Sequence, residues 1–261
     1  MDDNKKYVLE CENLGIVFGG LAAVNDFNVK IGEKQVYGLI GPNGAGKTTV
    51  FNLLTKVYEP TSGSIKLNGV DTKGQTTVSL SKMGIARTFQ NIRLFSNLTV
   101  AENVMVAMNQ NMKYSLFEST FRLPRYWKEE KAARAKALEL LSIFDMQDFA
   151  DVKASSLPYG AQRRLEITRA LATNPSLLLL DEPAAGMNPA ETAELMHNIG
   201  KIRDEFGISI LLIEHDMSLV MGICDEITVL NFGMVIAQGT PAEIQSNPVV
   251  IEAYLGKQKE D

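Results

Sequence analysis

The chain has 261 residues, of which 45% are hydrophobic and 22% charged, with a formal net charge of −5. That mixture supports a substantial core, the acidic balance argues against a nucleic-acid-binding surface, and two cysteines and two histidines without ligand spacing argue against a zinc site. No apolar run approaches the roughly 20 residues that cross a bilayer, and no signal-peptide stretch follows the start, so a cytosolic protein is expected.

In chain order, Met1–Lys6 and Lys257–Asp261 read as disordered ends. Tyr7–Phe18 and Ala23–Val29 alternate as strands do, and Gln35–Ile40 is a short apolar strand. A glycine-rich turn from Gly41 to Gly46 opens a helix over Lys47–Lys56. Ser62-Gly63 and Asn68-Gly69 bracket another strand. From Thr99 to about Asp145 the pattern is helical, clearest over Trp127–Phe144, and a second amphipathic helix covers Gly160–Ala172. Strands then alternate with helices: Leu177–Asp181, Pro189–Phe206, Ile208–Glu214, Asp216–Cys224, Ile227–Asn231 and Val235–Gln238. This order predicts an α/β core with a mostly parallel sheet, interrupted by a helical insertion over about Asn91–Leu157. The basic stretches Arg122–Lys136 and Arg163–Arg169 are interleaved with Glu or apolar residues and read as solvated helix faces.

Gly41-Pro42-Asn43-Gly44-Ala45-Gly46-Lys47-Thr48 matches G-x-x-x-x-G-K-[ST] in full, after an apolar strand and before a helix. The glycines let backbone N–H groups face phosphate oxygens, and the helix N-terminus favours the same anion. Lys47 supplies a charge for the β- and γ-phosphates, and the Thr48 hydroxyl is placed for Mg²⁺. Leu177–Leu180 is an apolar strand ending in Asp181-Glu182. Such a strand delivers its acids at the carboxyl edge, where α/β sheets bind ligands. Asp181 would hold Mg²⁺ and Glu182 would orient and deprotonate a water, which is most of what phosphoryl transfer requires.

The order of these motifs resembles the ABC ATPase family over nearly the whole chain. The resemblance implies an α/β P-loop NTPase (RecA-like) core with an antiparallel β subdomain and an inserted α-helical subdomain. The corresponding domains are 1–90 (phosphate loop and β subdomain), 91–157 (helical subdomain) and 158–261 (signature helix and remainder of the core). It implies ATP and Mg²⁺ as ligands, with Gly41, Asn43, Gly44, Ala45, Gly46, Lys47, Thr48 and Thr49 around the nucleotide. Phe18 looks like the aromatic residue that stacks on adenine, although a lone Phe at a strand end is more often core. Gln90 stands where the family senses the γ-phosphate and Mg²⁺. His215, after an apolar strand, matches the histidine that bridges γ-phosphate and attacking water. Leu157-Pro158-Tyr159-Gly160-Ala161 aligns with the signature Leu-Ser-Gly-Gly-Gln, which closes over ATP held by another subunit. Pro158 removes its serine hydroxyl and Ala161 its glutamine amide, leaving Tyr159, the Gly160 amide and a helix N-terminus. Asn188 stands where Asp is usual after Ala184-Ala185-Gly186-Met187.

A finer resemblance is to the G-type ATPases of branched-chain amino acid uptake. It is carried by Arg87-Thr88-Phe89-Gln90, Arg93-Leu94-Phe95, Leu98–Asn103, Arg163–Ile167, Glu182–Gly186, Glu214-His215-Asp216-Met217 and Ala253–Gly256. It implies a second ATPase subunit that is a different chain, two membrane permease subunits and an extracytoplasmic amino-acid-binding protein. No nucleic acid partner is implied, and the place is the cytoplasmic face of the inner membrane. The ATPase of another ABC system, such as lipopolysaccharide export, is the nearest alternative. A non-transport ABC ATPase and a nucleotide-binding module that does not hydrolyse stand further off.

Overall fold

The computed structural model describes residues 6–109, 118 and 120–255. Most of both expected disordered ends, Met1–Lys5 and Lys257–Asp261, therefore lies outside the described residues, as do Gly256 and residues 110–117 and 119 of the helical insertion. Internal contacts divide the chain into two compact units, Met1–Arg87 with Ser176–Asp261, and Thr88–Pro175.

The first unit holds two sheets. In the four-stranded sheet, β1 (Tyr7–Phe18) and β2 (Leu21–Gly32) form a hairpin, and β4 (Ser62–Leu67) and β5 (Val70–Asp71) complete the order β2-β1-β4-β5, all antiparallel. The six-stranded sheet has the order β10-β9-β3-β8-β7-β6. Its strands are β3 (Val36–Ile40), β6 (Ile85–Arg87), β7 (Leu177–Asp181), β8 (Ser209–Ile213), β9 (Glu226–Asn231) and β10 (Met234–Gly239). Only β10 runs antiparallel to its neighbour. Every residue of β3, β7 and β8 is buried. That is why these segments read as continuous apolar runs rather than alternating ones.

Helices α1 (Lys47–Leu54), α2 (Thr77–Met83), α6 (Pro189–Phe206), α7 (Met217–Ile223), α8 (Pro241–Ser246) and α9 (Pro248–Leu255) belong to this unit. Local chemistry fixes their ends. The Asn188 side chain accepts from the Ala190 and Glu191 N–H groups, both at 3.0 Å, and Glu191 reaches back to the Asn188 N–H at 2.9 Å. This reciprocal cap, with Pro189 in the first turn and a left-handed Gly207 at the far end, frames α6.

The second unit is built on α3 (Val100–Met108), α4 (Pro124–Ser142) and α5 (Tyr159–Leu171). Thr99 and Glu102 form a capping box at the start of α3. Val100, Ala101 and Val104 of α3 are buried, as are Ala137, Leu140 and Leu141 of α4 and Leu165 and Ile167 of α5. The unit takes in α5, which the sequence reading grouped with the core. The reason is packing, since α5 contacts both α3 and α4.

β5, α2, β6, α8 and α9 have no counterpart among the elements expected from sequence. The basic run Arg163–Arg169 does not form the solvated face expected of it, because Arg163 is 0% exposed.

Candidate functional site

β3 leads out of the core into Gly41, whose φ of 149° precedes Gly44 at 79° and Gly46 at 106°. The three glycines are needed for different reasons. A Cβ on Gly41 would run into the Leu230 carbonyl, and one on Gly46 would lie 2.7 Å from the Ala23 carbonyl oxygen. Gly44 has open space around it and needs only its left-handed backbone. The loop is braced from behind, because the Gly233 N–H in the β9–β10 turn donates to the Ala45 carbonyl at 2.9 Å. Gly46 caps α1 without a side-chain bond, and no acid occupies the first turn. The leading N–H groups of α1 thus remain directed at an anion.

Lys47 is 7% exposed and donates to the carbonyls of Gly41 at 2.6 Å and Pro42 at 3.0 Å. Burial pulls its pKa below the usual lysine range, while the charges of Glu182 and Asp181 oppose that shift. The two acids therefore act on the phosphate-loop lysine, as expected of residues that share its site. Thr48 and Asn43 are exposed, and Thr49 is half-buried. From α9, the Tyr254 hydroxyl accepts a backbone hydrogen bond from Gly41, and burial raises its pKa against that bond.

Asp181 ends β7 and is buried, with Oδ2 2.8 Å from the Arg87 guanidinium. Arg87 in turn donates to the Asn52 side chain at 2.7 Å and lies over the Phe51 ring. Glu182 follows with φ 49°, a left-handed conformation that costs about 1–2 kcal/mol for a non-glycine residue. That backbone sends its carboxylate to His215, whose Nε2 lies 2.7 Å from Glu182 Oε1. β7 and β8 pair as parallel neighbours up to Asp181↔Ile213, so both residues emerge at the same carboxyl edge. Phe18 is exposed at the end of β1, its ring edge-on to Tyr58 with centroids 5.2 Å apart.

Gln90 and the segment Pro158–Ala161 belong to the second unit. The Gln90 side chain is exposed, and its carbonyl accepts from Arg163 at 2.7 Å. Arg163 also donates to the Phe89 carbonyl at 2.6 Å, to Glu166 at 3.0 Å and to the Tyr159 hydroxyl at 3.2 Å. Pro158 is the N-cap of α5 and makes no side-chain cap bond. Pro158 and Tyr159 are exposed, Gly160 is half-buried and Ala161 is buried.

The first unit thus brings together the phosphate loop, Asp181, Glu182 and His215. Sequence reasoning gave no role to Arg87, Tyr58, Tyr254, Arg163 or Glu214. Arg87, Arg163, Glu214 and Tyr254 lie inside motifs it quoted, but each has a partner distant in sequence.

Residues 24–185 match the family model for ABC transporters, and residues 234–260 match that for branched-chain amino acid ATP-binding cassette transporters. A high-affinity branched-chain amino acid transport ATP-binding protein of Pseudomonas aeruginosa is 48% identical over 96% of this chain and 98% of its own length. The corresponding LivG protein of Escherichia coli is 47% identical over the same shares. A lipopolysaccharide export ATP-binding protein of Haemophilus influenzae is more distant, at 30% identity over 96% of this chain and 98% of its own. Among solved structures, the ADP conformation of an ATP-binding cassette of an ABC transporter superposes with a TM-score of 0.83. That cassette is 30% identical, and the match covers 96% of this chain and 99% of the other. The chain belongs to the ABC transporter family and is an ATP-binding, ATP-hydrolysing cassette of the branched-chain amino acid transport type.

Proposed function

We propose that this cassette drives import of branched-chain amino acids, and that Glu182 is the base of its ATP hydrolysis with His215 as partner. The observation that carries the site reading is the 2.7 Å pair between Glu182 and His215 at the strand edge, beside carboxylate charges that act on Lys47. Glu182 takes a proton from water as the water oxygen attacks the γ-phosphorus, and the bond to the bridging oxygen breaks to leave ADP and phosphate. His215 holds the water and a γ-phosphate oxygen. The loop from Gly41 through Thr49, including Asn43, Gly44, Ala45, Gly46, Lys47 and Thr48, cradles the phosphates. Phe18 stacks on adenine.

Mg²⁺ suits the hard oxygen donors of the first unit, the Thr48 hydroxyl and the Asp181 carboxylate, and the family resemblance would add the Gln90 amide. When bound it neutralises charge on the β- and γ-phosphates. Pro158, Tyr159, Gly160 and Ala161 close over ATP held by a second, different ATPase subunit. Two permeases and an extracytoplasmic binding protein complete the assembly, with this chain on the cytoplasmic face of the inner membrane. Among the described residues no helix is long and apolar enough to cross a membrane. Exposed Phe95 and half-buried Leu94, near Arg93, offer the kind of surface that receives a short permease helix.

The test is the Glu182→Gln chain, assayed for turnover and used with Mg-ATP to capture its partners from native membranes. Turnover should fall about 10²–10⁴-fold with ATP binding retained, and two permeases, a second ATPase and an amino-acid-binding protein should co-purify. Near-normal turnover would overturn the base assignment. Recovery of lipid-export components instead would overturn the import assignment.

A further inference from the structure

Glu214 follows β8 directly and is 4% exposed. A carboxylate at that depth is costly unless its charge is met, and here backbone N–H groups meet it from two directions. Oε1 accepts from Ala184 at 2.8 Å, while Oε2 accepts from His215 at 2.9 Å and from Asp216 at 3.3 Å. Ala184 lies in the turn that Glu182 opens after β7, and His215 opens the turn after β8. One carboxylate therefore ties the two turns whose side chains meet in the Glu182–His215 pair.

The turn after β7 needs such a tie. Glu182 is held in a left-handed conformation, and its own backbone anchors are the Glu182 N–H to the Ile213 carbonyl at 2.9 Å and the Ala185 N–H to the Glu182 carbonyl at 3.2 Å. Without the Ala184 bond the turn can relax toward an ordinary backbone, which would swing the Glu182 carboxylate away from His215. A carboxylate satisfies both sides, since each of its oxygens is an acceptor. A glutamine offers one acceptor oxygen and would set its NH₂ group against an N–H donor at the other turn.

We propose that Glu214 is a positioning residue for ATP hydrolysis, clamping the turns after β7 and β8 so that Glu182 and His215 stay within hydrogen-bond reach. The proposal rests on the reading of Glu182 and His215 as base and partner. A misplacement of about 1 Å at a reacting group costs about 10²-fold in rate. Glu214→Gln should therefore lower kcat by about that factor while the KM for ATP stays within about twofold, because the phosphate loop does not depend on the clamp.

The experiment measures steady-state Mg-ATPase activity of the full chain for wild type, Glu182→Gln, His215→Ala, Glu214→Gln and the double variant His215→Ala/Glu214→Gln. If Glu214 acts through the pair, the glutamine should cost less than about threefold once His215 is gone. Glu214→Asp keeps the charge and the local acceptors but cannot reach Ala184, so it should behave like Glu214→Gln. It replaces that variant if the glutamine protein fails to fold. Wild-type kcat in Glu214→Gln alongside an inactive Glu182→Gln overturns the clamp alone. Losses that simply multiply with His215→Ala, or that raise KM in step with lowering kcat, also overturn it by making the residue merely structural. Turnover in Glu182→Gln overturns the catalytic reading and the clamp with it.

Discussion

The phosphate loop in the first unit and the signature segment in the second each place backbone N–H groups at a helix N-terminus, an arrangement suited to anions, yet they are built to different standards. Around the phosphate loop the backbone is over-determined. Gly41 and Gly46 are pressed against the carbonyls of Leu230 and Ala23, and the β9–β10 turn bonds the loop from behind. At the signature, Pro158 starts α5 without a side-chain cap bond, and the firm structure lies deeper, in the Arg163–Glu166 pair that gathers Phe89, Gln90 and Arg93. The difference teaches where each unit stores its precision. One fixes the ligand-facing backbone itself, and the other fixes the segment behind it.

The largest stability effect should come from breaking that deeper pair. Glu166 is 2% exposed, so Arg163→Met leaves its charge buried with the N–H groups of Phe89 and Arg93, at 3.4 and 3.3 Å, and the charge of Arg169 to meet it. A loss of about 3–5 kcal/mol is expected. Adding Glu166→Gln to remove the stranded charge should recover part of it, as urea denaturation of the full chain would read. A loss under about 1 kcal/mol in the single variant would mean the pair is not what holds the Phe89–Arg93 segment.

Next in size is the contrast between two glycines of one loop. Gly46→Ala meets both a left-handed φ and the Ala23 carbonyl, whereas Gly44→Ala meets the φ alone. Gly44→Ala should cost about 1–2 kcal/mol. Gly46→Ala should cost at least about 3 kcal/mol and abolish binding of a fluorescent ATP analogue. Equal effects would show that backbone conformation, and not the brace behind the loop, sets the standard.

How much of this was legible in the sequence follows from the same contrast. Where function resides in backbone geometry, residue type betrays it: Gly41, Gly44 and Gly46 are readable because few other residues could occupy those φ values. β3, β7 and β8 are readable because burial on both faces demands an unbroken apolar run. β6 was missed because it has only three residues, and α2 because Leu80 alone is buried, which leaves no periodicity to detect. Arg87, Arg163 and Glu214 each have a partner far off in sequence, 94, 73 and 30 residues away, so their motifs could be quoted without the contacts that explain them. Asn188 shows the reverse case, since its departure from aspartate leaves the cap on α6 intact.

The smallest effect tests whether the sparse signature can be rebuilt. Pro158 occupies the N-cap of α5, where a serine hydroxyl would accept a bond from an orphan N–H of the first turn. Pro158→Ser should therefore stabilise the chain by about 0.5–2 kcal/mol before any nucleotide is involved. Ala161 is 8% exposed, so Ala161→Gln must displace its neighbours or turn outward, at about 1–3 kcal/mol. The family pattern thus cannot be restored at both positions for the same gain. If Pro158→Ser raises ATP turnover in the assembled transporter as well as stability, the missing hydroxyl limits the composite site proposed for this segment. If it raises stability alone, the Gly160 amide and the helix N-terminus already supply what that site uses, and the proline is a tolerated start to the helix rather than a handicap.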